Sequence, residues 1–250
     1  MKIVKFLYKN KETWGAVEGE RVKIMEGLPY MCTRFTGRII KLSECKLLAP
    51  ANPSKIILVG LNYKDHAREL GMKVPKEPVI FLKPATALNN PKARVVYPKG
   101  VKRLDYEAEL AVVIKKKARN ISESTSLKYI LGYTCLNDIT ARDLQVRDGQ
   151  WTRAKSFDGF APLGPWVETN AFSSDMKVQL YLNGKLKQDS STKNFIFSLE
   201  YIISFISRIM TLLPGDVVST GTPPGVGPMQ RGDSVEVRIE GVGKLQNRIS

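Results

Sequence analysis

The dipeptide Asn183-Gly184 separates two runs of strand-forming residues, Val178 to Leu182 and Lys185 onward. Both residues of such a pair accept positive φ, as a tight two-residue turn requires, so this is the strongest hairpin signal in the chain. Short strands recur elsewhere. Lys2 to Leu7 alternates weakly, and Val17-Glu18-Gly19-Glu20-Arg21-Val22 within Thr13 to Met25 predicts a second hairpin. Lys55 to Gly60 (KIILVG) has the composition of a buried strand, and Asp105 to Ile114 (DYEAELAVVI), Asp216 to Thr220 and Asp233 to Ile239 read as further strands. Five prolines break Pro75 to Pro98 into extended segments and loops.

Helical patterns are fewer. Leu199, Ile202, Ile203, Ile206, Ile209, Met210 and Leu213 fit one apolar stripe, capped by Ser198 and stopped by Pro214-Gly215. The stripe is core and carries no chemistry. The spacing also predicts a helix over Ser122 to Tyr133, capped by Ser122 or Ser124 and ended at Gly132. Another is predicted over Ile139 to Arg147, and a short one within LNYKDHAREL stops at Gly71. Strands outnumber helices, which predicts a β-dominated α+β fold, largely antiparallel and rolled into a barrel-like or sandwich form. Ala51-Asn52-Pro53 marks a joint, giving a small N-terminal β unit (1–50) and a larger unit (51–250).

The chain has 250 residues and a formal net charge of +15. Such an excess raises nucleic acid, an anionic membrane or an anionic substrate as partners. The cations are dispersed, however; the densest run is Lys115-Lys116-Lys117, without interleaved aromatics. A solvated, lysine-rich surface accounts for that, and neither nucleic acid nor membrane is expected as a partner. No apolar run has the length of a membrane span, and Met1 to Lys11 lacks the apolar centre of a signal peptide, so a cytoplasmic location is expected. Three cysteines, Cys32, Cys45 and Cys135, without close spacing, read as reduced thiols rather than a disulfide framework or zinc ribbon.

The chemistry concentrates in a few places. On a strand, residues i and i+2 share a face, so Glu107 and Glu109 project together from an otherwise apolar segment. Two close carboxylates repel unless a cation lies between them, and oxygen ligands favour Mg2+, Mn2+ or Ca2+ over zinc. Taken alone, the pair reads equally as two solvent-facing glutamates. Asp138 lies where an extended segment meets a helix, with Arg142 and Gln145 at i+4 and i+7 on one helical side; an ordinary N-cap aspartate fits the same pattern. His66 is the only histidine and stands three residues before Glu69. That spacing lets a carboxylate hold one ring nitrogen and leave the other as a base, although a surface ion pair looks the same. Lys155 in AKSFDG can stabilise an enolate oxygen beside a metal. Gly221 to Pro228 (GTPPGVGP) is a rigid loop whose amides can approach an anion, and it is neither a P-loop nor a dinucleotide fingerprint.

Seven stretches in this order resemble the fumarylacetoacetate hydrolase family: GLNYKDHAREL (60–70), FLKP (81–84), LDYEAELAVVI (104–114), GYTCLNDITARDLQ (132–145), KSFDGFAPLGPW (155–166), LYLNGKLKQDSST (180–192) and LLPGDVVSTGTPPGVGP (212–228). The resemblance, which extends to dienedioate isomerase and acylpyruvase-like members, implies a mixed β-roll and usually a homodimer. It implies Mg2+ or a similar ion on Glu107, Glu109 and Asp138. It implies a His66–Glu69 dyad that activates water or moves a proton, Lys155 polarising the substrate oxo group, and Arg142, Gln145 and Thr222 near the substrate. Ala154 stands where the family commonly has glycine. The expected activity is hydrolysis, isomerisation or decarboxylation of small 2-oxo or 2-hydroxydienoate acids through a metal-stabilised enolate. A sugar-acid dehydratase, or a catalytically silent basic binding module, are the alternatives.

Overall fold

The Asn183-Gly184 turn forms as its sequence requires. The two residues take φ of 50° and 77°, and strands Lys177–Leu182 and Lys185–Ser191 pair antiparallel across them. The computed structural model describes residues 1–31, 34–170 and 174–250; Cys32 lies outside them, and Cys45 and Cys135 are free thiols.

Three sheets organise these residues. The largest has 12 strands. Its path runs from Phe35–Lys41 through Arg21–Met25, Lys11–Glu18 and Lys2–Tyr8 to Ala161–Glu168, then Ile130–Asn137, Ala108–Ile114, Val217–Ser219, Ile56–Val59 and Ile80–Lys83. A five-stranded sheet contains the 177–191 hairpin, Ser234–Ile239, Gly243–Ile249 and Arg94–Val95. A three-stranded sheet joins Thr140–Ala141, Leu104–Tyr106 and Gly227–Met229. Most pairs are antiparallel; Val217–Ser219 runs parallel to Ile56–Val59. The β-dominated α+β expectation holds. The barrel-like form is not seen, because each sheet is an open path between two edges. Residues 1–50 continue the largest sheet, since Lys2 and Ile3 pair with Glu168 and Val167.

Ala108–Ile114 is buried at every position, and its alternation explains why. Ala108, Leu110, Val112 and Ile114 face one apolar cluster, with the helix Leu199–Ile209 and the five-stranded sheet. Ala111 and Val113 face a second, with Ile3, Trp14, Ile56 and Leu163. Such a strand has no solvent side, so a charged residue on it needs a partner inside the protein. The helix Leu199–Ile209 begins where predicted: the Ser198 hydroxyl accepts from the Tyr201 amide at 3.1 Å, a cap of about 1 kcal/mol. No helix among the described residues is long and apolar enough to cross a membrane.

Three expected helices differ. The one that begins at Leu199 ends at Ile209, with Met210 already extended, rather than running to Pro214-Gly215. Ser122–Tyr133 is helical only over Glu123–Ser126, followed by a 3-10 turn to Tyr129; Ile130–Asn137 is a strand. Gly132 does not end a helix. It lets this strand approach its neighbour, since a Cβ there would lie 2.4 Å from the Glu168 carbonyl oxygen. The helix expected from Ile139 starts at Arg142, because Thr140–Ala141 pairs as a strand with Leu104–Asp105.

Candidate metal centre

Glu107 and Glu109 do not lie on one unbroken strand. Leu104–Tyr106 belongs to the three-stranded sheet and Ala108–Ile114 to the large one, so Glu107 occupies the break between them. The break is held by side chains. The Glu107 amide donates to Asn137 Oδ1 at 3.0 Å, and the Ala108 amide donates to Gln188 Oε1 at 2.9 Å. Asp138 follows strand Ile130–Asn137, and its amide donates to the Glu107 carbonyl at 2.8 Å. These constraints gather Glu107, Glu109 and Asp138 so that one carboxylate oxygen of each lies within 4.8 Å of the others, all three residues buried.

Cations surround this cluster. Lys155 Nζ is 3.0 Å from Glu107 Oε2 and 2.5 Å from Asp138 Oδ2. Lys83 Nζ is 2.5 Å from Asp138 Oδ1 and donates to the carbonyls of Ile139 (3.0 Å) and Phe160 (2.5 Å). Arg142 donates from Nη2 to Glu107 Oε1, from Nε to Asp105 Oδ2 at 2.9 Å, and from Nη1 to Gln145 Oε1 at 2.5 Å. Arg142 and Gln145 thus meet as i and i+3 on the helix Arg142–Asp148. Asp138 is outside that helix, so the expected i+4 relation to Arg142 does not exist; the two converge through Glu107 instead.

The carboxylates differ in proton affinity. Burial would raise the Glu107 carboxyl, but the charges of Lys155 and then Arg142 outweigh it and hold the group below the usual range. Glu109 is pushed well above that range, first by burial and then by the negative charges of Asp138 and Glu107. Ser219 Oγ and the Gly221 amide, at 3.1 Å, both donate to Glu109 Oε2 without offsetting that cost. Burial would lower the Lys155 ammonium, yet Asp138 and Glu107 hold it above its ordinary value. A buried all-oxygen trio with one member this unfavourably charged is what a hard divalent cation would stabilise, so the residues present fit Mg2+ or Mn2+.

The remaining predicted residues meet at the 221–228 loop, whose Thr222 bonds to Ala108, between Glu107 and Glu109. His66 is buried on the short helix Lys64–Glu69, with Nδ1 2.8 Å from Glu69 Oε2; Glu69 Oε1 accepts from the Gly225 amide at 3.0 Å. Thr222 donates its hydroxyl to the Ala108 carbonyl at 3.0 Å and accepts from Gln188 Nε2 at 2.9 Å. Its proton is committed, so Thr222 can offer a further ligand only a hydroxyl lone pair or its backbone.

Several buried polar residues escaped the sequence reading, Asn137 at the Glu107 amide among them. Lys83 ends the apolar strand Ile80–Lys83 inside the FLKP stretch; a lone cation there was a usable signal. Asp105 anchors Arg103 and Arg142, at 2.8 and 2.9 Å. Gln188 is fully buried, on a strand whose neighbours face solvent, so nothing local marks it. Tyr63 is fully buried and its ring packs edge-on against Phe195, 5.0 Å between centroids.

The fumarylacetoacetate (FAA) hydrolase C-terminal model matches residues 55–250, which include every residue of this cluster. The chain belongs to that family. An Rv2993c-like N-terminal model matches residues 1–50. The structure of a 5-carboxymethyl-2-hydroxymuconate delta-isomerase from Mycobacterium smegmatis superposes with a TM-score of 0.95 at 39% identity, covering 100% of this chain and 99% of that one. Fumarylpyruvate hydrolase from Pseudomonas aeruginosa, in complex with Mn2+ and pyruvate, superposes at 0.74 with 33% identity, covering 82% and 91% of the two chains. The rat mitochondrial oxaloacetate tautomerase Fahd2a is 40% identical over 223 residues, 84% of this chain and 71% of its own. Members of the family thus include an isomerase, a hydrolase and a tautomerase.

Proposed function

We propose that this protein is a divalent-metal-dependent enzyme acting on small 2-oxo or 2-hydroxydienoate acids, by hydrolysis, isomerisation or decarboxylation. The observation that carries the reading is the buried Glu107–Glu109–Asp138 cluster with the Lys155 ammonium set against two of its members. The three relatives support the substrate class, since their names refer to pyruvate, oxaloacetate, a fumaryl pyruvate and a hydroxymuconate. Glu107, Glu109 and Asp138 would hold Mg2+ or Mn2+, which supplies Lewis acidity to a 2-oxo carboxylate and lowers the cost of its enolate.

The chain's own groups supply the rest. Lys155 stays protonated between its two carboxylates, so it can donate a hydrogen bond to an oxygen that gains negative charge. Arg142 spends three of its N–H groups on Glu107, Asp105 and Gln145; a guanidinium has five, so two remain for a substrate carboxylate. Glu69 holds His66 Nδ1 and leaves Nε2 free to take a proton from water or from carbon. Hydrolysis needs that base to deliver water, isomerisation needs it to relay a proton, and decarboxylation needs only the electron sink.

The test is a panel of acylpyruvates, oxaloacetate, hydroxydienoates and aldonates, run with Mg2+ or Mn2+ on the parent protein, Glu107→Gln and His66→Ala. Metal-dependent turnover of a 2-oxo acid, lost in Glu107→Gln, is expected. Turnover that ignores chelators and survives Glu107→Gln rejects the reading, and turnover of aldonates alone moves the assignment to a dehydratase.

A further inference from the structure

Gln188 lies on the outer strand of the Lys177–Ser191 hairpin, among exposed lysines, yet its side chain is fully buried. Each polar atom of its amide is used. Oε1 accepts from the Ala108 amide at 2.9 Å, and Nε2 donates to Thr222 Oγ1 at 2.9 Å and to the Pro223 carbonyl at 2.8 Å. Ala108 is the residue between Glu107 and Glu109, just past the break in the strand. Thr222 and Pro223 open the Gly/Pro loop, and the Thr222 hydroxyl closes the ring by donating to the Ala108 carbonyl at 3.0 Å. One side-chain amide therefore joins the backbone between two carboxylates to the loop that follows Val217–Ser219.

The same loop reaches the histidine. Three residues beyond Thr222, the Gly225 amide donates to Glu69 Oε1, and Glu69 Oε2 holds His66 Nδ1. Gly225 rests directly on the strand of Gln188: its φ is +94°, and a Cβ would lie 2.2 Å from the Lys187 carbonyl oxygen. That strand also grips the helix carrying the dyad, because Ser190 Oγ donates to Asp65 Oδ2 at 2.5 Å; Asn194, in the 3-10 turn just after the strand, donates from Nδ2 to the same oxygen at 3.1 Å. Two separate links thus tie Lys185–Ser191 to the His66 helix, and one ties it to the carboxylate cluster.

We infer that Gln188 is a positioning residue: it sets the Gly/Pro loop against Ala108 and thereby fixes the His66–Glu69 pair relative to Glu107 and Glu109. It touches neither metal ligand side chains nor His66; it acts through Ala108, Thr222 and Gly225. The inference rests on the reading of His66 as the proton-transfer group. A buried amide of this kind is not replaceable by an apolar side chain of equal size, because the Ala108 amide and Pro223 carbonyl would lose their partners.

The experiment is a double-mutant cycle on the Mn2+-loaded full-length protein, with Gln188→Met, His66→Ala and the pair. Gln188→Met is expected to lower kcat at least tenfold on the substrate whose turnover needs His66. KM and Mn2+ affinity should stay within about threefold. In the His66→Ala background the same substitution should cost less than about threefold, since a residue acting through His66 has nothing left to position. Equal losses in both backgrounds, or Mn2+ affinity falling in step with kcat, overturn the inference. If His66→Ala leaves turnover of every substrate unchanged, the reading of His66 as the proton-transfer group fails instead. Hydrogen exchange decides the positioning claim independently of turnover. Gln188→Met should speed exchange in peptides covering 221–228 and 64–70 and at the Ala108 amide itself, but not in Glu109–Ile114. Unchanged exchange in the first two overturns it.

Discussion

Glu109 carries the largest electrostatic cost in the site, and the cost has a testable sign. Its carboxyl sits well above the ordinary value of 4.5, through burial first and the charges of Asp138 and Glu107 second. As pH rises past 4.5 the unfolded chain releases this proton while the metal-free folded protein keeps it. The folded state then binds more protons, so stability falls with rising pH in that window. Thermal melts of chelator-treated protein should show this decline, and Glu109→Gln should flatten it. Glu107 has the opposite sign, its shift being downward, and its stabilisation is lost only as pH drops below 4.5. Lys155→Met takes one buried cation away from both Glu107 and Asp138. Breaking a buried pair costs about 3–5 kcal/mol, and the lower end applies because Arg142 and Lys83 still face the two carboxylates. Denaturant unfolding of the metal-free variant measures this. Turnover of the loaded variant should fall about 100-fold or more, as for loss of a donor aimed at developing charge.

At the level of elements, the site depends on where strands stop and how close they come. Had Leu104 to Ile114 formed one ladder, Glu107 would be pinned in a single sheet. The break allows its side chain to meet Asp138, which leaves the end of the neighbouring strand, and Asn137 and Gln188 supply the partners the ladder lacks. Gly132 secures the approach of Ile130–Asn137 to Ala161–Glu168. Gly132→Ala must displace the Glu168 backbone, an overpacking cost of about 1–3 kcal/mol visible as a shift in denaturation midpoint. A variant as stable as the parent contradicts the packing described. The sequence pattern read Thr134 to Asn137 as extended but missed the first half of this strand, Ile130 to Tyr133, because Ser122-Glu123-Ser124 is a genuine helix start. Only pairing with strands distant in the chain ends that helix after Ser126 and takes Ile130–Asn137 into the sheet.

For the whole molecule, the first 50 residues are part of the large sheet and its core. Ile3, Trp14 and Met25 share a cluster with Ala111, Leu136 and Leu163, and Lys2 and Ile3 cover the edge of Ala161–Glu168. A chain starting at Ala51 should expose that edge and an apolar face, and should aggregate or melt well below the full protein. A soluble truncation with an unchanged melting temperature would show the N-terminal unit to be dispensable. Divalent ions act at the same scale. Binding to the folded state alone stabilises by about 2.7 kcal/mol at a hundredfold excess over Kd, so Mn2+ should raise the melting temperature of the parent and not of Glu107→Gln.

Local pattern determined much of this protein. Turn chemistry at Asn183-Gly184, the Ser198 cap and the apolar run Ile56–Val59 are short-range effects, and each forms where its residues demand. The order of motifs was enough to single out Glu107, Glu109, Asp138, Arg142, Gln145 and Lys155, which the fold gathers, and Thr222, His66 and Glu69, which bond to or through the 221–228 loop. Tertiary structure decided what no spacing encodes: the break at Glu107, the start of the helix at Arg142 rather than Ile139, the sheets left open, and the recruitment of Lys83, Asp105 and Gln188. The physical reason for the break and for the recruited side chains is the same. A buried charge or amide must find its partner wherever the chain brings one, and here those partners lie tens of residues away, as in the link from Gln188 to Ala108.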